Sequence, residues 1–406
     1  MQTIIVGAGL AGLSTADGLL RSGYPGNQIR ILEQYRSIGG RVVSGTKDGS
    51  TYEIGAGRIH AHHDRVHRLL RRFGLSKKLR SIDAPVFWND RNTIQPNAFL
   101  DTWQAYRSLF QTLPPHVLAN STLHDIALRT LGEHNTHALF DMLSYRSEIE
   151  LLRADLALES DIFLSSGYTH LEGGLSQLIH RLELHLRSKG VRFQTNTTVS
   201  NVSRKGTTYL VKTNQTTEYA DRVVLALHVK ALRSFAIFRD FTLFDHVQMA
   251  PLTRIYAQFP HPWLVPHTVS NSHLRDTIPI DPQKGIVMIS YTDGRDTTVW
   301  KGLRGRRLQR AIATEMNKVF PDLETAPTWI QSYEWKDGCS YWIPGNYDPV
   351  DIRQRVLRPL PDYPELYICN ESFSLKQAWM EGALEHAEML VSLLTSPRTK
   401  SVYPAE

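Results

Sequence analysis

The chain has little cysteine, since only Cys339 and Cys369 occur among its 406 residues. Two cysteines in so long a chain argue against a disulfide framework and against a structural zinc site. Histidines cluster at positions 60, 62, 63 and 67, but they lack the H-E-x-x-H spacing of a catalytic zinc helix. We therefore expect no bound metal ion.

Long apolar runs are also missing. No stretch reaches the roughly 18 apolar residues that a membrane-spanning helix requires. The first apolar segment, Ile4 to Val6, is too short for the core of a signal peptide. We therefore expect an untargeted, cytoplasmic protein with no membrane partner.

A strong charge bias is absent as well. The formal net charge is +6 and the isoelectric point is about 9.2, but the lysines and arginines are scattered along the chain. The densest basic stretch, residues 67–73, has the pattern of the solvated face of an amphipathic helix. We therefore expect no nucleic-acid partner. The length and the 41% hydrophobic content are instead typical of a globular protein with two domains.

The first strong pattern begins almost at the first residue. An apolar strand at residues 3–6 is followed by a glycine-rich turn and an apolar helix from about Leu10 to Ser22. A second strand, Gln28 to Leu32, ends at Glu33. This order predicts a βαβ unit of the kind that binds dinucleotides.

The turn has the sequence G-x-G-x-x-G, formed by Gly7, Gly9 and Gly12. Gly7 allows the tight turn, Gly9 lets the backbone approach a pyrophosphate, and Gly12 lets the helix pack closely on the strand. The helix N-terminus offers N–H groups to the phosphates. Glu33 follows about 20 residues later, where a carboxylate binds ribose hydroxyl groups.

The sequence after this unit resembles the flavin amine-oxidase superfamily, which includes monoamine, polyamine and L-amino-acid oxidases. Ile38 to Val42 contains a Gly-Gly-Arg step that matches the family's motif. The resemblance implies that the backbone of Gly40 and the side chain of Arg41 contact FAD. An arginine suits this role because it can pair with phosphate oxygens through two parallel N–H groups.

Tyr52 to Ile59 resembles the family segment that lies beside the reactive edge of the flavin. Its small residues, Gly55, Ala56 and Gly57, would let the backbone approach the ring. In the L-amino-acid oxidase branch, an arginine at the position of Arg58 binds the substrate carboxylate. The resemblance implies that role for Arg58, and a structural ion pair remains the alternative.

The C-terminal part resembles the family in a similar way. Leu366 to Glu371 is similar to its final FAD strand, although Cys-Asn replaces the usual Gly-Thr or Ala-Gly before the acid. The following helix is similar to the one that points at the pyrimidine end of the flavin. The resemblance implies a hydrogen bond from the Met380 N–H to a flavin carbonyl. It also implies that Trp379 lines the substrate cavity, with a plain core residue as the alternative.

Other matches are weaker or depart from the pattern. Val199 resembles the residue whose backbone contacts adenine. Arg254 stands where the family usually has a lysine that is linked to reaction with dioxygen, and an arginine cannot shuttle protons in that way. Cys339 resembles the cysteine that binds flavin covalently in monoamine oxidases, but a buried thiol is the alternative. Tyr341 is a candidate for the aromatic wall of the cavity or for the core.

The resemblance predicts an α/β protein of the amine-oxidase fold, with a Rossmann-like FAD-binding domain and a discontinuous α+β substrate-binding domain. We expect the FAD-binding domain in residues 1–60, 165–235 and 355–400. The substrate-binding domain is expected in residues 61–164 and 236–354, with a helical part at about 99–158.

The resemblance also implies a function: oxidative deamination of an L-amino acid, with FAD as cofactor and dioxygen as electron acceptor. Three alternatives remain open. They are an amine or polyamine oxidase on the same scaffold, a desaturase or carotenoid-type oxidoreductase, and a flavin-binding interaction protein with little turnover. The expected catalytic residues are Arg58, Arg254, Trp379 and Tyr341.

Overall fold

A computed structural model describes residues 1–89, 92–94, 96–141, 143, 145–160, 166–323 and 326–396, with the backbone alone at residues 89, 92–94 and 96–100. The described chain divides into two compact units, each of which is built from separate segments. The first unit comprises Met1–Arg41, Leu178–Phe241 and Val350–Glu406, and the second comprises Val42–Gln177 and Thr242–Pro349. The expected domain limits at residues 164, 165 and 400 lie outside the described residues.

Within the described residues the helices are α1 (Leu10–Arg21), α2 (Asp64–Arg72), α3 (Pro96–Gln111), α4 (Pro115–Ala119), α5 (Leu123–Phe140), α6 (Arg146–Glu150), α7 (Ala154–Ala157), α8 (Ser176–Ser188), α9 (Val229–Leu232), α10 (Gly305–Val319), α11 (Pro349–Leu357) and α12 (Met380–Thr395). The strands before residue 200 are β1 (Thr3–Val6), β2 (Ile29–Leu32), β3 (Ser44–Lys47), β4 (Ser50–Glu53), β5 (Ile59–His60), β6 (Leu79–Ser81), β7 (Val86–Asn89), β8 (Asn92–Ile94), β9 (Tyr168–Leu171), β10 (Arg192–Gln194) and β11 (Val199–Lys205). The later strands are β12 (Thr208–Thr213), β13 (Thr217–Ala220), β14 (Arg222–Leu225), β15 (Val247–Gln258), β16 (Thr268–Ser270), β17 (Asp276–Asp281), β18 (Ile286–Asp293), β19 (Trp329–Trp342) and β20 (Leu366–Ile368).

The first unit is organised around a parallel sheet with the strand order β10-β2-β1-β14-β20. Strands β1 and β14 are buried along their whole length, as expected for strands with helices on both faces. Helices α1 and α12 pack closely, because a Cβ at Gly18 would lie 2.6 Å from the side chain of Val391. A separate antiparallel sheet contains β11, β12 and β13.

The second unit contains a seven-stranded sheet with the order β19-β15-β18-β17-β16-β7-β8. The central strand β18 is buried along its whole length. Helix α10 packs on this sheet through Leu308, Ile312 and Met316, in a core that also holds the fully buried Trp300. The small sheets β3-β4 and β5-β9-β6 belong to the same unit.

Local signals in the sequence predict these elements well. The helical stretch expected at about 99–158 contains α3 to α7, and α3 ends before the break expected at Pro114-Pro115. The helix expected from Trp379 begins one residue later, at Met380. In the part of the chain described here, no helix has both the length and the apolar character needed to cross a membrane.

Candidate functional site

The glycine-rich turn in the first unit has the geometry of a phosphate-binding loop. Gly7 has a φ angle of 103°, and a Cβ at this position would lie 2.5 Å from the Ala226 carbonyl oxygen. A Cβ at Gly12 would lie 2.1 Å from the carbonyl oxygen of Gly7. Both positions therefore require glycine for the protein's own packing.

Gly9 differs from its two neighbours in the motif. The nearest atom to a Cβ built at Gly9 is the Cα of Gly40, at 4.0 Å, so the fold itself leaves room for a side chain. Gly9 is also the N-cap of α1, its position makes no side-chain capping hydrogen bond, and the first turn carries no acidic residue. An uncapped helix N-terminus beside open space suits an anionic group. The turn thus fits a dinucleotide pyrophosphate.

Glu33 lies just after β2, at the carboxyl end of the parallel sheet. Its Oε2 accepts a hydrogen bond of 2.8 Å from the Ala8 N–H, and its Oε1 accepts one of 3.0 Å from the Tyr35 N–H. An ionised carboxylate has about four acceptor sites, so two such bonds leave capacity for ribose hydroxyl groups. The Thr197 N–H donates to the Glu33 carbonyl oxygen over 2.8 Å. Val199 follows two residues later, at the start of β11.

The Gly-Gly-Arg step joins the same turn. The Gly39 N–H donates to the Ala8 carbonyl oxygen over 2.8 Å, and Gly40 has a φ angle of 58°. Arg41 then forms an ion pair of 2.7 Å with the buried carboxylate of Glu371. The structure therefore brings together the predicted cofactor residues Gly7, Gly9, Gly12, Glu33, Gly40, Arg41 and Glu371 within the first unit.

Glu371 also organises the start of α12. Its Oε1 accepts a hydrogen bond of 2.5 Å from the N–H of Ala378, which has a left-handed φ angle of 65°. The half-buried Trp379 is the N-cap of α12, and Met380 is the first residue of the helix. The predicted N–H donor at Met380 thus lies at a helix N-terminus, where a developing negative charge is stabilised.

In the second unit, Gly55, Ala56, Gly57 and Arg58 form an irregular segment between β4 and β5. The Gly55 N–H donates to the Val43 carbonyl oxygen over 3.0 Å, and the Trp335 indole N–H donates to the Ile54 carbonyl oxygen over 2.9 Å. A Cβ at Gly57 would lie 3.0 Å from the Cβ of Glu53. The segment is therefore tightly fixed within its unit.

Glu53 connects this segment to the large sheet. Its carbonyl oxygen accepts hydrogen bonds from the Arg254 guanidinium at 2.8 Å and from the Tyr256 hydroxyl at 2.5 Å. Its carboxylate accepts bonds of 2.7 Å from the Ser44 hydroxyl and from the Leu175 N–H. Burial raises the pKa of Glu53 to about 7, even though these bonds and Arg254 oppose the rise.

Arg254 lies in the middle of β15, opposite Tyr291 on β18 and Tyr333 on β19. It is buried, and its guanidinium lies 5.1 Å from the centre of the Tyr291 ring. Burial lowers the pKa of Arg254, but Tyr256, Tyr291 and Glu53 outweigh it, so the pKa lies above its ordinary value. The group is a fixed positive charge rather than a proton carrier.

Arg58 lies among aromatic rings in the same unit. Its guanidinium carbon lies 5.0 Å from the ring centre of Tyr145, 5.5 Å from that of Tyr291 and 5.8 Å from that of Tyr168. Its Nη1 is 3.9 Å from a carboxylate oxygen of Asp276. This separation exceeds a charge-assisted hydrogen bond, which is about 2.7–2.9 Å long. A structural ion pair was the alternative role for Arg58, and the structure contains it only as a loose contact with Asp276.

Cys339 and Tyr341 lie two residues apart on β19 and therefore share one face of the sheet. Both side chains are buried. Burial raises the pKa of Tyr341 well above its usual range, with further contributions that include Cys339 and Tyr291. The second unit therefore groups Arg58, Arg254 and Tyr341 around Tyr291. Trp379 belongs to the first unit.

Sequence reasoning missed several members of this group. Glu53 was part of a matched segment, but no local pattern indicates its pKa. Tyr145, Tyr168 and Tyr291 come from three separate parts of the chain, and Asp276 lies 218 positions after Arg58. These contacts depend on tertiary packing, so the spacing of the residues in the sequence could not predict them.

Comparisons with known proteins agree with this geometry. A sequence model of the family described as "Flavin containing amine oxidoreductase" matches residues 10–390. The protein anon-37Cs of Drosophila melanogaster is 38% identical over 99 residues, which cover 23% of this chain and 19% of the fly protein. An L-amino-acid oxidase of Pseudechis australis is 37% identical over 76 residues, which cover 18% of this chain and 14% of the snake protein. The matches thus span less than a fifth of these curated relatives.

Solved structures match over nearly the whole chain. Cyclohexylamine oxidase from Brevibacterium oxydans IH-35A has a TM-score of 0.77 at 15% identity, covering 97% of this chain and 98% of that one. Wild-type putrescine oxidase bound to putrescine has a TM-score of 0.78 at 15% identity, with the same coverage. These likenesses show the amine-oxidase fold. Because the family match extends over most of the sequence, the chain belongs to the flavin containing amine oxidoreductases.

Proposed function

We propose that the protein oxidatively deaminates an L-amino acid to the imino acid, which water hydrolyses to a keto acid and ammonia. The observation that carries this proposal is the environment of Arg58. Its positive charge faces three tyrosine rings, and the acidic side chain of Asp276 stands 3.9 Å away, beyond hydrogen-bond range. Such a guanidinium keeps N–H donors for two parallel bonds to a substrate carboxylate.

The tyrosines support this role through their charge state. Burial raises the pKa of Tyr291 far above neutrality, so the ring remains an uncharged phenol. A neutral ring stabilises the guanidinium through its face and leaves the positive charge available to an incoming anion. A phenolate at this position would compete with the substrate carboxylate.

The redox chemistry belongs to the cofactor, which when bound accepts the hydrogen and the electron pair of the substrate α-carbon. The residues of the chain bind the cofactor and the substrate and orient them. For the first unit we propose that the turn around Gly9, together with Glu33 and Arg41, holds the dinucleotide, with Val199 beside the adenine. The Met380 N–H is proposed to donate to the flavin, and Trp379 to contact the substrate. Tyr341 is proposed as a substrate contact of the second unit.

We propose dioxygen as the electron acceptor, which takes two electrons and two protons and leaves as hydrogen peroxide. Arg254 would serve this step as a fixed positive charge, because a guanidinium does not exchange protons near neutral pH. Cys339 is buried on β19, and we propose that the flavin is held without a covalent bond.

Replacing Arg58 tests the proposal. For Arg58→Leu, the KM of an amino-acid substrate should rise by roughly 10- to 100-fold, since a charge-assisted contact contributes about 1.5–3 kcal/mol. The bound flavin and its visible spectrum should be retained. Arg58→Lys keeps the charge but loses the paired donors, so its KM should be intermediate. An unchanged KM in Arg58→Leu would contradict the proposal.

The second candidate is an amine or polyamine oxidase. It is favoured by two solved structures of similar fold, which are those of cyclohexylamine oxidase and putrescine oxidase. This candidate predicts oxidation of amines without a carboxylate, at rates that do not depend on Arg58. Steady-state assays with both substrate classes on the same variants distinguish the two candidates.

A further inference from the structure

The start of α6 is held by a carboxylate from a distant part of the chain. The N–H groups of Arg146 and Ser147 donate to Oδ1 and Oδ2 of Asp293 over 2.7 and 3.0 Å. Asp293 is the last residue of β18, and all three residues are buried. The first N–H groups of a helix have no partner within the helix, so buried ones need an acceptor from elsewhere. Burial raises the pKa of Asp293 to about 6, so at pH 7 and above the ionised form prevails and both oxygens accept.

Helix α6 and the end of β18 also approach closely at this point. Gly294, directly after β18, has a φ angle of 54°, and a Cβ there would lie 2.6 Å from the Ser147 Oγ. The Arg146 side chain adds longer contacts, at 3.5 Å from Asp296 and 3.3 Å from Asp141. The two shorter backbone bonds to the carboxylate are therefore the main attachment of this helix start to the strand.

Both attached segments carry a ring that contacts Arg58. Tyr145 is the residue directly before α6 and makes no side-chain capping bond. Its ring centre lies 5.0 Å from the Arg58 guanidinium carbon, nearer than the rings of the other two tyrosines. Tyr291 lies two residues before Asp293 on β18, so their side chains share one face of the sheet. The Tyr145 and Tyr291 rings meet edge to face, with their centres 5.7 Å apart. The Asp293 bonds thus fix the segment of Tyr145 relative to the strand of Tyr291.

We propose that Asp293 is a positioning residue, which anchors the start of α6 and so keeps the Tyr145 ring beside the Arg58 guanidinium. This inference rests on the proposed carboxylate-binding role of Arg58. An arginine side chain has several rotatable bonds, and a fixed neighbouring ring reduces the entropy that it loses when it binds a ligand. Without Asp293, the N–H groups of Arg146 and Ser147 lose their acceptor, and the Tyr145 ring no longer restricts Arg58. Substrate binding then weakens, whereas the chemical step does not change.

A double-mutant cycle tests this inference. Asp293→Ala and Tyr145→Leu should each raise the KM of an amino-acid substrate by about five- to tenfold while kcat changes little, as expected when only binding is lost. The double variant should have a KM no higher than the larger single value, because both substitutions remove the same contact. Asp293→Asn keeps one carbonyl acceptor for the α6 N–H groups, so its KM should lie between those of the unsubstituted enzyme and Asp293→Ala.

Thr122→Ala is the matched control for the loss of a helix cap. The Thr122 hydroxyl accepts a bond of 3.1 Å from the Asp125 N–H at the start of α5, in the same unit. Its removal should lower the melting temperature. The KM should not change, because α5 carries none of the rings that contact Arg58.

An unchanged KM in folded Asp293→Ala would overturn the inference. So would KM increases that multiply in the double variant, since Asp293 would then act independently of Tyr145. If Asp293→Ala does not fold, the same cycle with Asp293→Asn decides. Arg58→Leu distinguishes the inference from the proposed function on which it rests. If Arg58→Leu leaves KM unchanged, the proposed function fails; if it raises KM while Asp293→Ala and Tyr145→Leu do not, only the inference fails.

Discussion

Glu53 is a buried residue whose carboxyl behaves differently from a carboxyl in water. Burial raises the pKa of its carboxyl to about 7, and the same residue binds Arg254 and Tyr256 through its carbonyl oxygen. A carboxyl that titrates near neutrality beside the Gly55–Arg58 segment makes the second unit sensitive to pH. Because this sensitivity arises from a single side chain, one substitution can test it.

The folded-state pKa of Glu53 lies above the unfolded value of about 4.5, so the folded state holds the proton more tightly. The resulting contribution to stability is complete below pH 4.5 and is lost as the pH rises through about 7. We expect the free energy of unfolding to fall over this range by roughly 1–3 kcal/mol more in the unsubstituted protein than in Glu53→Gln.

Denaturant titrations at several pH values between 4.5 and 8 measure this difference. Glu133→Gln is the matched control, because Glu133 is exposed on α5. Its pH profile should follow that of the unsubstituted protein. Parallel profiles for Glu53→Gln and the unsubstituted protein would show that Glu53 does not carry this pH dependence.

At the scale of elements, glycine serves two different purposes in the turn between β1 and α1. Gly12 has a Cβ position only 2.1 Å from the Gly7 carbonyl oxygen, so glycine there serves the packing of helix on strand. The nearest atom to the Cβ position of Gly9 is the Cα of Gly40, at 4.0 Å. The fold therefore leaves room for a side chain at this position, and we propose that glycine serves the approach of the dinucleotide there.

This difference predicts opposite results for two alanine substitutions. Gly9→Ala should leave the melting temperature of the apoprotein nearly unchanged but weaken FAD binding by tenfold or more, because the methyl group occupies the space of the pyrophosphate. Gly12→Ala should lower the apoprotein's own stability by about 2 kcal/mol or more, as overpacking usually does. Thermal unfolding of both apoproteins and titration with FAD measure these effects. Tight FAD binding by Gly9→Ala would contradict the assignment.

The elements themselves could be predicted from the sequence, but the contacts between distant elements could not. The βαβ unit was predictable because its strand, turn and helix are adjacent in the chain, and each carries its own residue pattern. The contact between Arg254 and the Glu53 carbonyl oxygen joins residues 201 positions apart. No local pattern encodes such a contact, and the tyrosines around Arg58 escaped prediction for the same reason.

At the scale of the whole molecule, each unit is assembled from segments that are distant in sequence. Residues 1–41 contribute β1 and β2 to a sheet whose other strands come from much later parts of the chain. The family match, which extends over residues 10–390, therefore reflects a signal spread along the chain. The resemblance noted in short motifs predicted the fold for this reason, whereas the substrate depends on a few side chains such as Arg58.

The most direct test of the central claim is an anaerobic reduction of the bound flavin by matched pairs of compounds. Each L-amino acid is compared with the amine that lacks only its carboxylate, in the unsubstituted enzyme and in Arg58→Leu. The account predicts that amino acids bleach the flavin absorbance in the unsubstituted enzyme, that the matched amines do not, and that Arg58→Leu loses this preference. Admission of air should then restore the colour and produce hydrogen peroxide. Equal or faster bleaching by the amines, unaffected by Arg58→Leu, would contradict the account and assign the protein to amine oxidation.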